Sequence, residues 1–337
     1  MLLPMIKSVR KNATLLICIL ILHSYHAKSQ ENLKAVEKFF ESAIEINKNG
    51  AEIEIKKEFL YKKDTLPDVY PYKNTTREFQ WDKIRKRLFL LDAIQENSAS
   101  WAVLQNYKNI HGEPKPVKNF HKDEYNEICD SLGVRRSQSI PLYSLEDSIT
   151  PLLYDRDGSL VRVTGEDGNF IKIATVYFKG NWIVPKRYIK LLDNNIVFRK
   201  AIFIDRTNQN IATLEKVNST WLVRSMVKAT TGLHKPPYEY ETPLGIFVIQ
   251  EKKNKMIYNE DGSDEEAGFA PYASRFSGGA HIHGIPVNGP LDANLIENSP
   301  ILGTTPHSHM CVRTTTSHAN FIYNWGTIGD TIVFVFD

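Results

Sequence analysis

Ser308, His309, Met310, Cys311, Val312 and Arg313 form a short segment near the C-terminus, and His281, Ile282, His283 and Gly284 stand upstream of it. A thiol with an imidazole nearby in the fold becomes a nucleophile near neutral pH, because the imidazole takes its proton and orients the thiolate. His and Ser residues in a turn-rich setting are also poor core composition. The two stretches therefore read first as a cysteine acyltransferase site.

Working outward, Thr230, Thr231 and Gly232 are followed by Thr242, Pro243, Leu244, Gly245, Ile246 and Phe247, and then by Pro271, Tyr272, Arg275 and Phe276. Taken in this order with Ile282-His283-Gly284 and Ser308-His309-x-Cys311-Val312-Arg313, these segments resemble the signature of the L,D-transpeptidase catalytic domain (YkuD type). The resemblance covers residues 197–337. Met310 stands where that family carries glycine, so a backbone needing φ > 0 there would be strained. The 28 positions from 283 to 311 exceed the family's usual spacing, which points to an insertion over 286–306, a stretch containing Asn288-Gly289-Pro290.

The resemblance implies roles. Cys311 is the nucleophile and His283 its general base, oriented by a backbone carbonyl close to Gly284. The N–H groups of Met310 and Cys311 are candidate oxyanion donors. His309 shapes the turn. Ser308 and Arg313 hold the loop or bind a substrate carboxylate, for which a guanidinium is suited, and Tyr272 and Arg275 belong to the substrate cleft. The implied substrate is a peptidoglycan stem tetrapeptide, cut after its third residue through a thioester and joined to another stem as a 3,3 cross-link. Water as acceptor would make the same acyl-enzyme an L,D-carboxypeptidase, and a non-catalytic wall-binding protein is the non-enzymatic alternative. A carbapenem is expected to acylate Cys311.

No cofactor and no metal is implied. A zinc site is the chemical competitor, because His281 and His283 share one face of a strand, as His307, His309 and Cys311 would if extended. Zinc would tie up the thiol and would leave the Thr-Pro-x-Gly segment unexplained.

The chain has 337 residues, 42% of them hydrophobic and 24% charged, which suits two or three domains with ordinary cores. Residues 1–29 carry Lys7, Arg10 and Lys11, then an apolar run over 13–22, then Ala27 and Ser29 at −3 and −1 of a cut, the pattern of an export signal. Ten apolar residues fall short of the roughly 20 that span a bilayer. The expected location is the periplasm or cell envelope, with no transmembrane helix in the mature chain. Losing the signal's four cations takes the formal charge from +3 to −1. No basic tract remains for nucleic acid. Of the remaining cysteines, Cys129 reads as a small buried hydrophobe and not as a disulfide partner of Cys311.

The expected fold class is α+β. Helical spacing at Leu33, Val36, Phe39, Phe40 and Ile44, and again at Trp81, Ile84, Leu88 and Leu91, with further helix expected over 101–107 and 123–132, makes residues 30–138 a mostly helical region of unknown role. Residues 139–193 alternate between β-prone runs and the Asp157-Gly158 and Asp167-Gly168 pairs of tight hairpins. They resemble a small SH3-like β-barrel, whose Tyr143, Trp182 and Tyr188 are either wall-peptide contacts or core. Residues 197–337 read as mainly antiparallel β, with one helix over 317–325 capped by Ser317 and a last strand over 331–336.

Overall fold

The computed structural model describes residues 53–96, 100–178 and 180–337. The expected export signal and the helix over 32–48 lie outside them.

The upstream part runs through β1 (Ile55–Lys57), the hairpin of β2 (Val69–Tyr72) and β3 (Thr75–Glu78), helix α1 (Trp81–Glu96) and β4 (Ser100–Leu104). It continues with β5 (His121–Lys122), β6 (Ile128–Cys129), β7 (Ser139–Leu142), β8 (Leu153–Arg156), β9 (Leu160–Asp167), β10 (Phe170–Thr175), β11 (Asn181–Pro185) and β12 (Ile189–Leu191). The downstream part holds β13 (Lys200–Asp205), β14 (Asn210–Val217), β15 (Thr220–Lys228), β16 (Gly245–Val248), β17 (Glu251–Asn259), β18 (Glu266–Ser277), β19 (Ala280–His283), β20 (Val287–Asn288), β21 (Val312–Arg313), helix α2 (Thr316–Trp325) and β22 (Thr331–Phe336).

The described chain is thus mainly β, and the mostly helical reading of 30–138 is corrected over its described residues. Only α1 is an α-helix in the described part of that region. Trp101, Ala102, Val103 and Leu104 are all buried in β4, as β-branched and aromatic residues favour. Between β5 and β6, Asp123 Oδ1 accepts from the N–H groups of Tyr125 and Glu127, and Asn126 takes φ +60. An Asp bonding the backbone just ahead of it competes with helix and makes a turn. Cys129 is buried in β6, a small core residue as expected, though in a strand.

Two sheets build the downstream part. One has the order β1-β15-β14-β13-β22-β16, and the other the order β17-β18-β19-β21, with β20 beside β18. Every residue of Thr331–Phe336 is buried, because β22 lies inside the first sheet, parallel to β13 and antiparallel to β16. Phe203 and Phe334 stack with centroids 4.9 Å apart. The second sheet packs on the first through Phe276, Ala280, Ile282 and Val312, which meet Ile202, Phe247, Val333 and Val335, with Ile322 of α2 closing the core. Helix α1 lies near the first sheet, where Asp92 accepts from the Trp221 indole at 3.2 Å and Arg87 sits 4.3 Å over Phe336. Its buried Ile84, Leu88 and Leu91 are the apolar stripe read from the sequence.

Residues 139–193 do contain the expected strands, and Asp167-Gly168 does turn the β9–β10 hairpin, with Gly168 at φ +57. They are not a self-contained barrel. Their sheet has the order β11-β10-β9-β4-β12, so β4, from before residue 139, is an internal strand. Tyr143 and Tyr188 are buried there and Trp182 packs against the same core, so these aromatics fill a core. Asp157-Gly158 turns no hairpin, since β8 pairs with β7 while β9 pairs with β4 and β10.

The helix start also differs. Thr315 is the N-cap of α2 and makes no side-chain cap bond, while Glu297, in the inserted stretch, accepts from the Ser317 N–H at 3.1 Å and from its hydroxyl at 2.5 Å. A carboxylate on a helix N-terminus satisfies orphan donors and complements the dipole. Burial opposes ionisation of Glu297, but its bonds to Lys63 and Ser317 hold its pKa below the ordinary value.

Candidate active site

The parallel pair β19–β21 places Ile282 beside Val312 and His283 beside Arg313. Cys311, just before β21, and His283, at the end of β19, thereby come to line one cleft of about 730 Å³, together with Arg313, Thr230, Tyr258 and Asp261. The inserted stretch contributes Pro286, Asn288, Ser299, Ile301 and Leu302 to the wall.

His283 is buried, and its Nδ1 donates to the Gly284 carbonyl 2.6 Å away. That bond fixes the tautomer and leaves Nε2 as the proton acceptor. Gly284 has no room for a side chain, since a Cβ would lie 2.7 Å from Thr316 Oγ1 and 2.9 Å from the Pro271 ring. Burial pushes the His283 pKa down to about 3. It pushes the Cys311 thiol up, although the His281 N–H and the Arg313 charge pull the other way. At neutral pH the resting pair is therefore a neutral thiol and a neutral imidazole. The thiol is turned to the Gly279 carbonyl, at 3.6 Å, and makes no hydrogen bond to the imidazole among the described residues.

Met310 takes φ +85, the left-handed conformation that makes glycine the easy residue there. Thr242 Oγ1 donates to the Met310 carbonyl at 2.8 Å. Ser308, fully buried, donates from Oγ to the Cys311 carbonyl, so it holds the loop and does not face the cleft. Gly232 lies under the loop, where a Cβ would fall 2.8 Å from Met310 Cα. The Met310 and Cys311 N–H groups have no backbone acceptor among the described residues.

Arg313 lines the cleft with its Nε buried and unpartnered. Burial lowers its pKa, against the raising influence of Cys311, Tyr258 and Glu239. His309 is exposed at the cleft rim, with Nε2 3.0 Å from Asp261 Oδ2, so it ties the loop to the turn between β17 and β18.

Two sequence-assigned cleft residues are elsewhere. Tyr272, at φ +53, packs on Tyr323 of α2 with centroids 5.9 Å apart. Arg275 is buried against Asp157 at 2.6 Å and Glu251 at 3.2 Å, with Tyr107 under its guanidinium, and it does not line the cleft. The metal-type side chains do not converge either: among the described residues no three His, Cys, Asp or Glu groups are placed to hold an ion. His281 instead donates from Nδ1 to the Gly279 carbonyl at 2.9 Å. Sequence reasoning missed Asp261, Tyr258 and Asp157. The first two sit in a hairpin without a motif, and Asp157 was legible only as a turn residue.

The fold and cleft define a mainly β domain with a buried histidine at the end of one of two parallel strands and a buried cysteine just before the other. Residues 199–335 match the model of the YkuD family, the L,D-transpeptidase catalytic domain, and this stretch of the chain carries that domain. No curated protein matches the chain. Among solved structures, it is similar to a fused Zn-dependent amidase/peptidase/peptidoglycan-binding-domain protein from Clostridium acetobutylicum at 21% identity, covering 42% of this chain and 53% of that one, with a TM-score of 0.30. An L,D-transpeptidase from Stackebrandtia nassauensis matches at 21% identity over 41% of this chain and 56% of that one, TM-score 0.30. L,D-transpeptidase 3 from Mycobacterium tuberculosis matches at 18% identity over 47% and 74%, TM-score 0.32. The chain thus spans little more than half the length of the first two. At these scores the likeness carries no weight of its own, and the family assignment rests on the match over 199–335. No helix among the described residues is long and apolar enough to cross a membrane.

Proposed function

We propose that the chain is a cysteine-dependent L,D-transpeptidase of the cell envelope, acting on peptidoglycan stem tetrapeptides after export to the periplasm. The observation that carries this reading is the convergence of Cys311, His283 and an unpaired Arg313 in one cleft within the matched domain.

In this reading His283 Nε2 takes the thiol proton as Cys311 Sγ attacks the carbonyl carbon after the third stem residue. The Met310 and Cys311 N–H groups stabilise the oxyanion. The C–N bond breaks, the amine of the fourth residue leaves with the proton from His283, and a thioester remains. An amine of a second stem then attacks the thioester, gives its proton to His283 and so to the departing sulfur, and a 3,3 cross-link forms. The free Arg313 guanidinium suits a substrate carboxylate near the thiol. Water in place of the amine gives L,D-carboxypeptidase activity on the same intermediate.

The test is intact mass and product analysis on the mature protein, wild type against Cys311→Ala, with purified disaccharide-tetrapeptide. A cross-linked dimer lacking one terminal residue, formed only with Cys311 present, supports transpeptidation. Tripeptide alone supports the carboxypeptidase. No turnover together with no carbapenem adduct on Cys311 would leave a wall-binding protein as the reading.

A further inference from the structure

Asp157 lies upstream of the matched domain and is 1% exposed. Its Oδ1 accepts from the N–H groups of Asn106 at 2.8 Å and Tyr107 at 3.0 Å, both upstream. Its Oδ2 accepts from three downstream donors: Arg275 Nη1 at 2.6 Å, Gln250 Nε2 at 2.9 Å and the Gly278 N–H at 3.0 Å. Next to it Gly158 presses on β18 so closely that a Cβ would lie 1.8 Å from the Phe276 carbonyl oxygen. One carboxylate thus joins the upstream sheet to the tip of the β18–β19 hairpin.

That tip is the two-residue turn Gly278-Gly279 between the paired Ser277 and Ala280, with Gly278 at φ +48. The residue after the one Asp157 holds supplies the Gly279 carbonyl, which accepts from both Cys311 Sγ at 3.6 Å and His281 Nδ1 at 2.9 Å. Two consecutive residues therefore separate a buried upstream carboxylate from the thiol.

We propose that Asp157 is a positioning residue for Cys311, holding the Gly278-Gly279 turn so that the Gly279 carbonyl fixes the thiol proton and the direction of the sulfur. This rests on the reading of Cys311 as the nucleophile. A carbonyl acceptor stabilises S–H and not the thiolate, so the upstream part of the chain sets how readily the thiol ionises. The His281 N–H, which favours the thiolate, belongs to β19 and keeps its place through the strand pairing of His281 with Arg275. Releasing the turn removes chiefly the Gly279 acceptor. Among the other charged or titratable groups, His281 and His283 on β19, Arg313 on β21, His309 on the loop, and Tyr258 and Asp261 across the cleft stay unchanged in an Asp157 variant, while Arg275, the strand partner of His281, loses one of its two carboxylates and keeps Glu251.

The experiment is the pH profile of iodoacetamide alkylation on the full chain, resolved by mass at Cys311 and Cys129, for wild type, Asp157→Ala and the equal-sized Asp157→Asn. Asparagine offers one acceptor oxygen where five donors need two, so it severs one side of the junction without opening a cavity. The expected result is a Cys311 midpoint lower by about one pH unit in both variants, with buried Cys129 unreacted. An unchanged Cys311 profile overturns the proposal, and so does joint alkylation of Cys311 and Cys129, which would assign Asp157 to holding the whole fold. Alkylation needs no acyl transfer. A wild type without transpeptidase activity but with the Asp157-dependent profile would sink the functional reading and leave the positioning role standing.

Discussion

Thr242 Oγ1 donates to the Met310 carbonyl at 2.8 Å and accepts the Gly232 N–H at the same distance. One fully buried hydroxyl therefore ties three sequence-distant segments, the Thr-Thr-Gly stretch, the Thr-Pro-x-Gly stretch and the loop that carries Cys311. Thr242→Val keeps the shape and strands a buried N–H and a buried carbonyl. The expected loss is about 2–4 kcal/mol of stability by the usual penalty for two such groups, read from urea unfolding. A loss under about 0.5 kcal/mol would mean that water or a loop shift replaces the hydroxyl.

Met310 holds φ +85 without being glycine, while its side chain packs against the downstream core. Met310→Gly relieves about 1–2 kcal/mol of left-handed strain and gives up packing worth a similar amount, so its stability should stay within about 1 kcal/mol of wild type. Met310→Val adds a β-branch where φ > 0 is least tolerated. Its unfolding midpoint should fall clearly below that of the glycine variant, and equal midpoints would show that the loop takes another path when the residue changes.

What the sequence disclosed and what it withheld follow from how local each signal is. The two stretches that bring Cys311 and His283 into one cleft and the strand Thr331–Phe336 were legible, because a short Cys/His-bearing turn segment and an unbroken apolar run are contiguous features. Trp101–Leu104 was misread as helix because a short apolar run has no period of its own, and its strand partners β9 and β12 begin at positions 160 and 189. Arg275 looked available for substrate because nothing nearby in sequence announces Asp157, which lies 118 positions away. Glu297, 20 positions ahead of the Ser317 it binds, was invisible as a helix cap for the same reason.

Burial holds the pKa values of His281, His283 and His318 down to about 4, 3 and 3. Unfolded, each histidine takes a proton as the pH falls through about 6.5, whereas folded it stays neutral to much lower pH. Their contribution to stability is therefore complete above that pH and is lost as the pH falls from 6.5 toward 3–4. At pH 5.5 the loss should be about 1.4 kcal/mol for each, about 4 kcal/mol in all, relative to pH 7.5. His234, whose bonds to Glu124 and Glu241 outweigh desolvation and raise its pKa, offsets a little of this in the opposite sense. Buried Asp130 and Asp155, raised by desolvation, oppose it at the acid end. Urea unfolding at the two pH values checks the prediction, and coincident midpoints would refute the neutral burial of these rings.

Arg313 presents the reverse balance, a charge that the folded protein holds without a partner. Its Nε is buried and unbonded, and no carboxylate lies within ion-pair distance of it among the described residues. An unpaired, half-buried cation costs the fold free energy, so it is tolerated where a ligand completes it. Arg313→Met keeps the length of the side chain and removes the charge. Its thermal midpoint should be no lower than that of wild type, while KM for the stem tetrapeptide rises about tenfold or more, as expected for losing charge-assisted hydrogen bonds to a carboxylate. A lower midpoint with unchanged KM would mean that the guanidinium serves the fold and that the substrate carboxylate is held elsewhere.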